Sequence, residues 1–376
     1  MRALGIQQSN KKRSKHMSNP DRLPAEQMDE GDIVTVESFE QAVDFAAKTF
    51  RLRLKKRFTA GEADADVMDY HAPEHSEGVA EEAQEFLRII QRFDPTLVSD
   101  RDIVIAGLQG LAHDLVQKAT ITPEGMRIRH RGFYPEDITE DDRLRTLGYE
   151  KGNEELSADE FVAELARYRY ADGTSVFGMD DPATREEYRE DIGTTFPKFT
   201  PDATLPDGSQ GFKVYQPHLT PRSTLRGLAL ATADLRGEVG GRRTFKSFRK
   251  IKNKEYKESN VWVGNELENG IENVGPEMRT KITGSMVDWI TKSQVTFPQW
   301  QKELLRQSLD ENLILKGRTD IQNAIIERYN FEEIIEGSQT FAKGIETQAD
   351  AVIRAVDKRV GEEFFRNLVE EFEYAT

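Results

Sequence analysis

The stretch from about Arg101 to Ala119 is the most apolar in the chain, and a histidine and an aspartate lie near its end. Ile103, Ile105, Leu108, Leu111 and Leu115 leave no wide polar face, so a helix here belongs at the centre of a fold. His113-Asp114 sits inside that run. A His-Asp pair by itself arises by chance in many chains. Burying an imidazole beside a carboxylate, however, is costly unless a further group pairs with them, and a bound cation is the economical partner.

The rest of the chain is read as helices around this one. Ser38 and Gln41 form a capping box ahead of Phe39, Val43, Ala46, Phe50 and Leu54 at helical spacing. A second helix spans about Pro73 to Phe93, with Val79, Ala83, Phe86, Leu87 and Ile90 on its buried side; proline is tolerated in a first turn. Further helices are predicted over about Glu154–Tyr170, Pro182–Ile192, Ser223–Leu235, Glu277–Leu309 and Thr319–Tyr374. Five prolines between Thr195 and Pro221 make that stretch largely loop. Strand-like alternation is brief, as at Asp32–Val36, and no internal repeat is evident. The expectation is an all-α fold. A disordered polar and basic tail covers residues 1–30 and a core carrying the chemistry covers 31–240. A basic connecting segment (241–275) leads to a C-terminal helical extension (276–376) packed on the core.

Composition narrows the chemistry. The chain has no cysteine, so thiolate metal sites and cysteine nucleophiles are excluded, and any metal must use histidine and carboxylate ligands. A net charge of −15 disfavours whole-surface binding to nucleic acid, which leaves only a local basic patch at 242–257 for that purpose. No segment has the apolar length of a membrane span, and the basic N-terminus lacks the apolar region of a secretory signal, so a cytoplasmic location is the default expectation.

Two further features bear on a site. His71 and His75 are four residues apart, on one face of a helix start, where they either share a site or stand as two surface histidines. Asp234 is an acid within the apolar run Leu225–Leu235, placed either on the helix surface, beside a buried arginine, or in a site.

The order His75, His113-Asp114, Asp234 resembles the signature of the HD superfamily, a helical fold of metal-dependent phosphohydrolases. The Tyr70-His71-x-x-x-His75 form is similar to that of HD phosphohydrolases, cyclic-nucleotide phosphodiesterases among them. Further segments resemble a bacterial family of metal-dependent HD phosphohydrolases. They are His113-Asp114-Leu115-Val116-Gln117, Asn153–Ala158 and Ile192-Gly193-Thr194-Thr195-Phe196-Pro197, with a weaker echo at Asp288-Trp289-Ile290 and Gln294. The resemblance covers about Tyr70 to Asp234. It implies an HD-type helical core in which His75, His113, Asp114 and Asp234 bind a divalent metal. One or two ions of Mn²⁺, Mg²⁺, Fe²⁺, Co²⁺ or Ni²⁺ would suit such ligands, leaving positions for water. It further implies hydrolysis of a phosphoester by metal-activated water. His71, by similarity to the phosphodiesterases, would donate a proton to the leaving oxygen. Glu154 would bind a second metal or orient the water, unless it is an exposed acid stabilising its helix start. His130 and His218 are candidates for the same site or simply solvated loop residues. The glycine that follows the pair in cyclic-dinucleotide phosphodiesterases is absent, since Leu115-Val116-Gln117 stand there, which disfavours that substrate.

Lys118 is close enough in sequence to contact a phosphate, although a lysine at a helix end also suits the dipole. After Asp234 comes Arg242-Arg243-Thr244-Phe245-Lys246-Ser247-Phe248-Arg249-Lys250, continuing basic to Lys257. Basic residues interleaved with aromatics suit phosphate and base contacts, so Arg242, Arg243, Arg249 and Lys250 are candidate substrate-binding residues; a solvated charged connection is the alternative. The expected partner is a small phosphorylated compound, nucleotides included. A di-iron oxygenase on the same fold, and a phosphate-ligand-binding protein without turnover, are the competing functions.

Overall fold

Helical periodicity resolves into helices, and the fold is all-α. A computed structural model describes residues 32–58, 70–117, 152–204, 208, 210–237, 243–354 and 358–374. The expected N-terminal tail and most of the 120–152 connection lie outside these. Among the described residues no helix is long and apolar enough to cross a membrane.

The first half is built from α1 (Phe39–Phe58), α2 (Pro73–Phe93), α3 (Asp100–Ala112), α4 (Asn153–Leu165), α5 (Pro182–Gly193) and α6 (Leu225–Arg236). At α1, Ser38 Oγ accepts from Gln41 N at 3.1 Å as predicted, but the Gln41 side chain reaches Glu37 N at 2.7 Å, one residue before the expected donor. The central helix starts on an unpredicted box, in which Ser99 and Asp102 cap each other's backbone N–H at 3.2 and 3.0 Å. It also stops earlier than expected, at Ala112, so His113-Asp114 occupies the turn that leaves the helix. α2 packs mainly on α3 and α6. The approach to α3 is close: a Cβ on Gly110 would stand 2.5 Å from Ala80 Cα, so only glycine fits there.

Two pairs of strands flank the helices. β1 (Val34–Thr35) runs parallel to β2 (Tyr168–Arg169). β3 (Lys198–Thr204) and β4 (Gln210–Tyr215) form an antiparallel hairpin within the stretch expected to be loop. The prolines there fall where pairing stops: Pro197 precedes β3, Pro201 sits at the irregularity between Thr200 and Ala203, and Pro217 and Pro221 follow β4.

The long C-terminal helices are shorter than periodicity suggested. Where one helix over Glu277–Leu309 was expected, α9 (Pro276–Asp288) passes through a π turn (Trp289–Ser293) into α10 (Gln294–Glu311). Pro298 has no N–H to return to the carbonyl of Gln294, and the wider turn just before it absorbs the mismatch. The second expected helix is three, α11 (Thr319–Glu327), α12 (Phe331–Arg354) and α13 (Lys358–Glu371). The supposed basic connection is itself folded, mostly as α7 (Phe245–Ser259) and α8 (Val261–Leu267).

Apolar side chains gather in two clusters. The larger joins α1–α6 to the second half of α10, to α11 and to the start of α12 through Leu305, Leu309, Ile325 and Phe331. The smaller contains Met286, Ile290, Phe365, Val369 and Phe372. α7 belongs to both, with Phe248 in the first and Tyr256 in the second. Two ion pairs, Arg318–Asp94 at 2.9 Å and Arg328–Glu82 at 2.8 Å, tie the C-terminal half to α2 and the turn that ends it.

Candidate metal centre

Three helices deliver the four predicted ligands to one point. Pro73 opens α2 after an extended Ala72, which places His75 in the first turn, with its N–H on the Ala72 carbonyl at 2.9 Å. His113 and Asp114 leave the end of α3, and the turn is held by Val116 N donating to Ser157 Oγ of α4 at 3.0 Å. Asp234 comes from the last turn of α6, which starts on a Thr224 cap.

His113 Nε2 lies 3.1 Å from Asp114 Oδ2 and 3.5 Å from Asp234 Oδ1; His75 Nε2 lies 3.4 and 3.3 Å from the same two oxygens. Ligands about 2.1 Å from a shared centre stand about 3.0 Å apart in an octahedron and about 3.4 Å apart in a tetrahedron, given ordinary metal–ligand lengths. The observed spacing matches that range. His75, His113 and Asp114 could hold a metal ion, their ligand atoms all lying within 4.8 Å of one another.

The polar atoms themselves supply the test of fit. His75 Nε2, His113 Nε2 and Asp114 Oδ2 are buried and make no directed hydrogen bond to protein. Such atoms cost free energy unless something else satisfies them. The opposite edges of His113 and Asp114 are engaged. His113 Nδ1 meets the Gly110 carbonyl at 2.8 Å, which puts the ring hydrogen on Nδ1 and leaves the Nε2 lone pair facing the cluster. Asp114 Oδ1 accepts from Gln117 Nε2 at 2.9 Å, and Gln117 is held in turn by Asn153 Nδ2 at 3.1 Å. Two neutral imidazoles and two carboxylates arranged in this way fit a divalent cation.

Without a cation the cluster is strongly polarised. Burial alone would push the His113 imidazole down, but Asp114 and Asp234 outweigh it and hold the ring well above its usual range. Burial would raise both carboxylates; the adjacent imidazoles, His113 foremost, keep them below the ordinary aspartate value.

His71 stands beside this cluster, its ring centroid 6.1 Å from that of His75. Its Nδ1 bonds a carboxylate oxygen of Glu258, a buried residue at the end of α7, whose other oxygen accepts the backbone N–H groups of Tyr70 and His71 at 3.0 and 3.2 Å. Nothing in the sequence reading singled out Glu258. Its signal was the i, i+4, i+8 spacing of Lys250, Lys254 and Glu258, which places all three on one face of a helix.

A cleft of about 200 Å³ opens beside His75 and Asp234, and Arg243, Lys250, Ile251 and Lys254 line its far side. Two of the predicted substrate-binding residues, Arg243 and Lys250, therefore face the centre. Arg249 points elsewhere: it pairs with Glu371 and lies 3.7 Å over the Phe341 ring, a packing role. Lys118, Arg242 and His130 lie outside the described residues. Glu154 is buried in the first turn of α4 rather than exposed, and is not among the converging ligands. His218 sits tilted against the Phe196 ring, centroids 5.2 Å apart. No protein-family model, curated protein or solved structure matches the chain.

Proposed function

We propose that the protein is a metal-dependent phosphohydrolase of the HD type. The observation that carries this reading is the convergence of His75, His113, Asp114 and Asp234, with buried polar atoms unsatisfied by protein, beside a cleft walled by cations. A divalent ion held there supplies an acidified water and neutralises charge on a phosphoryl oxygen. The chain's own residues do the rest. Gly110 and Gln117 hold His113 and Asp114 in position. Arg243 and Lys250 draw in the anionic substrate. His71, fixed at Nδ1 by Glu258, gives its Nε2 proton to the departing oxygen. The competing di-iron oxygenase would draw on His71, His130, His218 and Glu154 as spare donors; among the described residues His71 is engaged by Glu258, His218 sits tilted against Phe196 and Glu154 is not among the converging ligands, which favours hydrolysis.

Metal analysis of the purified protein, followed by a phosphoester panel with and without added ions, tests the reading. His75→Ala is expected to lose both ion and turnover. His71→Ala keeps the ion and loses about 10²–10⁴-fold in turnover. That loss shrinks on 4-nitrophenyl phosphate, whose leaving group needs no proton. An ion bound stoichiometrically with no turnover on any ester would make this a binding protein, and turnover indifferent to chelation would remove the metal from the chemistry.

A further inference from the structure

Cations in α7 and just before it are used in two ways. Arg249 and Lys252 serve the fold: Arg249 pairs with Glu371 over Phe341, and buried Lys252 pairs with Glu255 and sits 3.8 Å over Phe297. Arg243, Lys250 and Lys254 do not. Arg243 and Lys254 have no carboxylate within ion-pair reach among the described residues, and exposed Lys250 has only Glu373, equally exposed, at 3.7 Å. Lys250 and Lys254 are one helical turn apart, a like-charge spacing that weakens a helix by a few tenths of a kcal/mol. Arg243 lies over α2 one turn beyond His75, its guanidinium Nη2 within van der Waals reach of a Cβ built at Gly78, 3.8 Å away. These three cations converge on one small cleft in a protein whose net charge is −15. The acids on the cleft wall do not cancel them, because Glu82 is held by Arg328 at 2.8 and 2.9 Å and Asp234 faces the imidazoles, which leaves Glu74.

One phosphoryl group at the metal centre needs no such wall. We propose that Arg243, Lys250 and Lys254 bind a second phosphoryl group of the substrate, so that the substrate class is a small compound bearing at least two phosphates. This rests on the phosphohydrolase reading for the first phosphate. Size supports it: about 200 Å³ is below the roughly 300–1,000 Å³ of sites that enclose drug-sized ligands. The cleft has room for adjacent phosphoryl groups and leaves the remainder of a larger substrate outside. Lys254, absent from the sequence-based candidates, is the specificity-determining residue this assigns.

Calorimetric titration of the full chain with inorganic pyrophosphate and with orthophosphate, metal-free and at fixed free Mg²⁺, tests the assignment. Pyrophosphate is expected to bind at least about tenfold more tightly, as three screened cations contribute. In the Lys250→Gln/Lys254→Gln variant that preference falls below about threefold. Lys246→Gln, exposed on α7 outside the cleft, keeps it. Equal affinity for the two anions in the wild type, or a preference that survives the double substitution, overturns the proposal. Lysine-dependent pyrophosphate binding in a chain that takes up no ion would sustain the anion site while removing the hydrolase. Cleavage of phosphoesters without any pyrophosphate preference would do the reverse.

Discussion

Two buried charged clusters lie within the first half of the molecule, and they are finished differently. In one, Glu164 of α4 accepts from Arg53 at 2.8 Å, Arg167 at 2.7 Å and the Tyr168 hydroxyl at 2.7 Å, so both carboxylate oxygens are taken by protein donors. In the other, His75, His113, Asp114 and Asp234 crowd together and buried atoms of three of them go without a directed hydrogen bond. Both bring buried carboxylates against basic side chains. What separates a cluster that holds a fold from one that could hold an ion is whether the protein itself completes the hydrogen bonding.

That contrast is open to measurement. The largest effect is expected at the closed cluster: Glu164→Ala strands two partly buried guanidiniums and should lower stability by about 3–5 kcal/mol in urea titrations, with or without metal. A loss under 1 kcal/mol would mean the cluster is solvated and the comparison fails. At the open cluster the effect should depend on the ion. Mn²⁺ at a hundred times its Kd should stabilise wild type by about 2.7 kcal/mol, read as a shift in Tm that chelation reverses, and Asp114→Ala should show no shift. An equal shift in both proteins would place the ion elsewhere. The smallest effect belongs to the cap of α3, which aims the second cluster. Ser99→Ala should cost about 1 kcal/mol. Burial would raise Asp102, but the Ser99 hydroxyl and N–H and the Arg226 guanidinium hold its carboxyl below the usual value. The stability this adds is present above the unfolded pKa of about 3.9 and is lost as pH falls through the lower folded value. Asp102→Asn should therefore flatten the acid limb of a stability–pH curve.

The candidate ligands were legible as a set through their resemblance to the HD pattern, while local physics by itself marked only His113-Asp114 and posed the question at Asp234. An acid in an apolar helix calls for a partner, and Asp234 among Leu228, Leu230 and Leu235 finds His75 and His113, a choice its own segment could not make over the helix surface or a buried arginine. Gly110 and Ala80 were not legible, since a helix–helix contact depends on which small residues happen to face each other. The hairpin was hidden by its prolines, which occupy the gaps in its pairing rather than its strands. The breaks in the C-terminal helices escaped because amphipathic spacing persists through a π turn. Glu258 was missed for a different reason: its partner, His71, lies 187 residues away, and an acid ending a basic helix reads as solvent-facing until that partner is known.

The assignment of α7 to both apolar clusters bears on how such a protein changes over generations. The ligands to the proposed ion come from residues 75–234, whereas the wall opposite them and the carboxylate that steers His71 come from 243–258. On the proposed reading, divergence confined to that later segment would alter the wall facing the centre while the ligand set is inherited intact. Because the back of α7 is anchored through Phe248, Lys252 and Tyr256, the helix can be rewritten on its outward face, position by position, without being rebuilt.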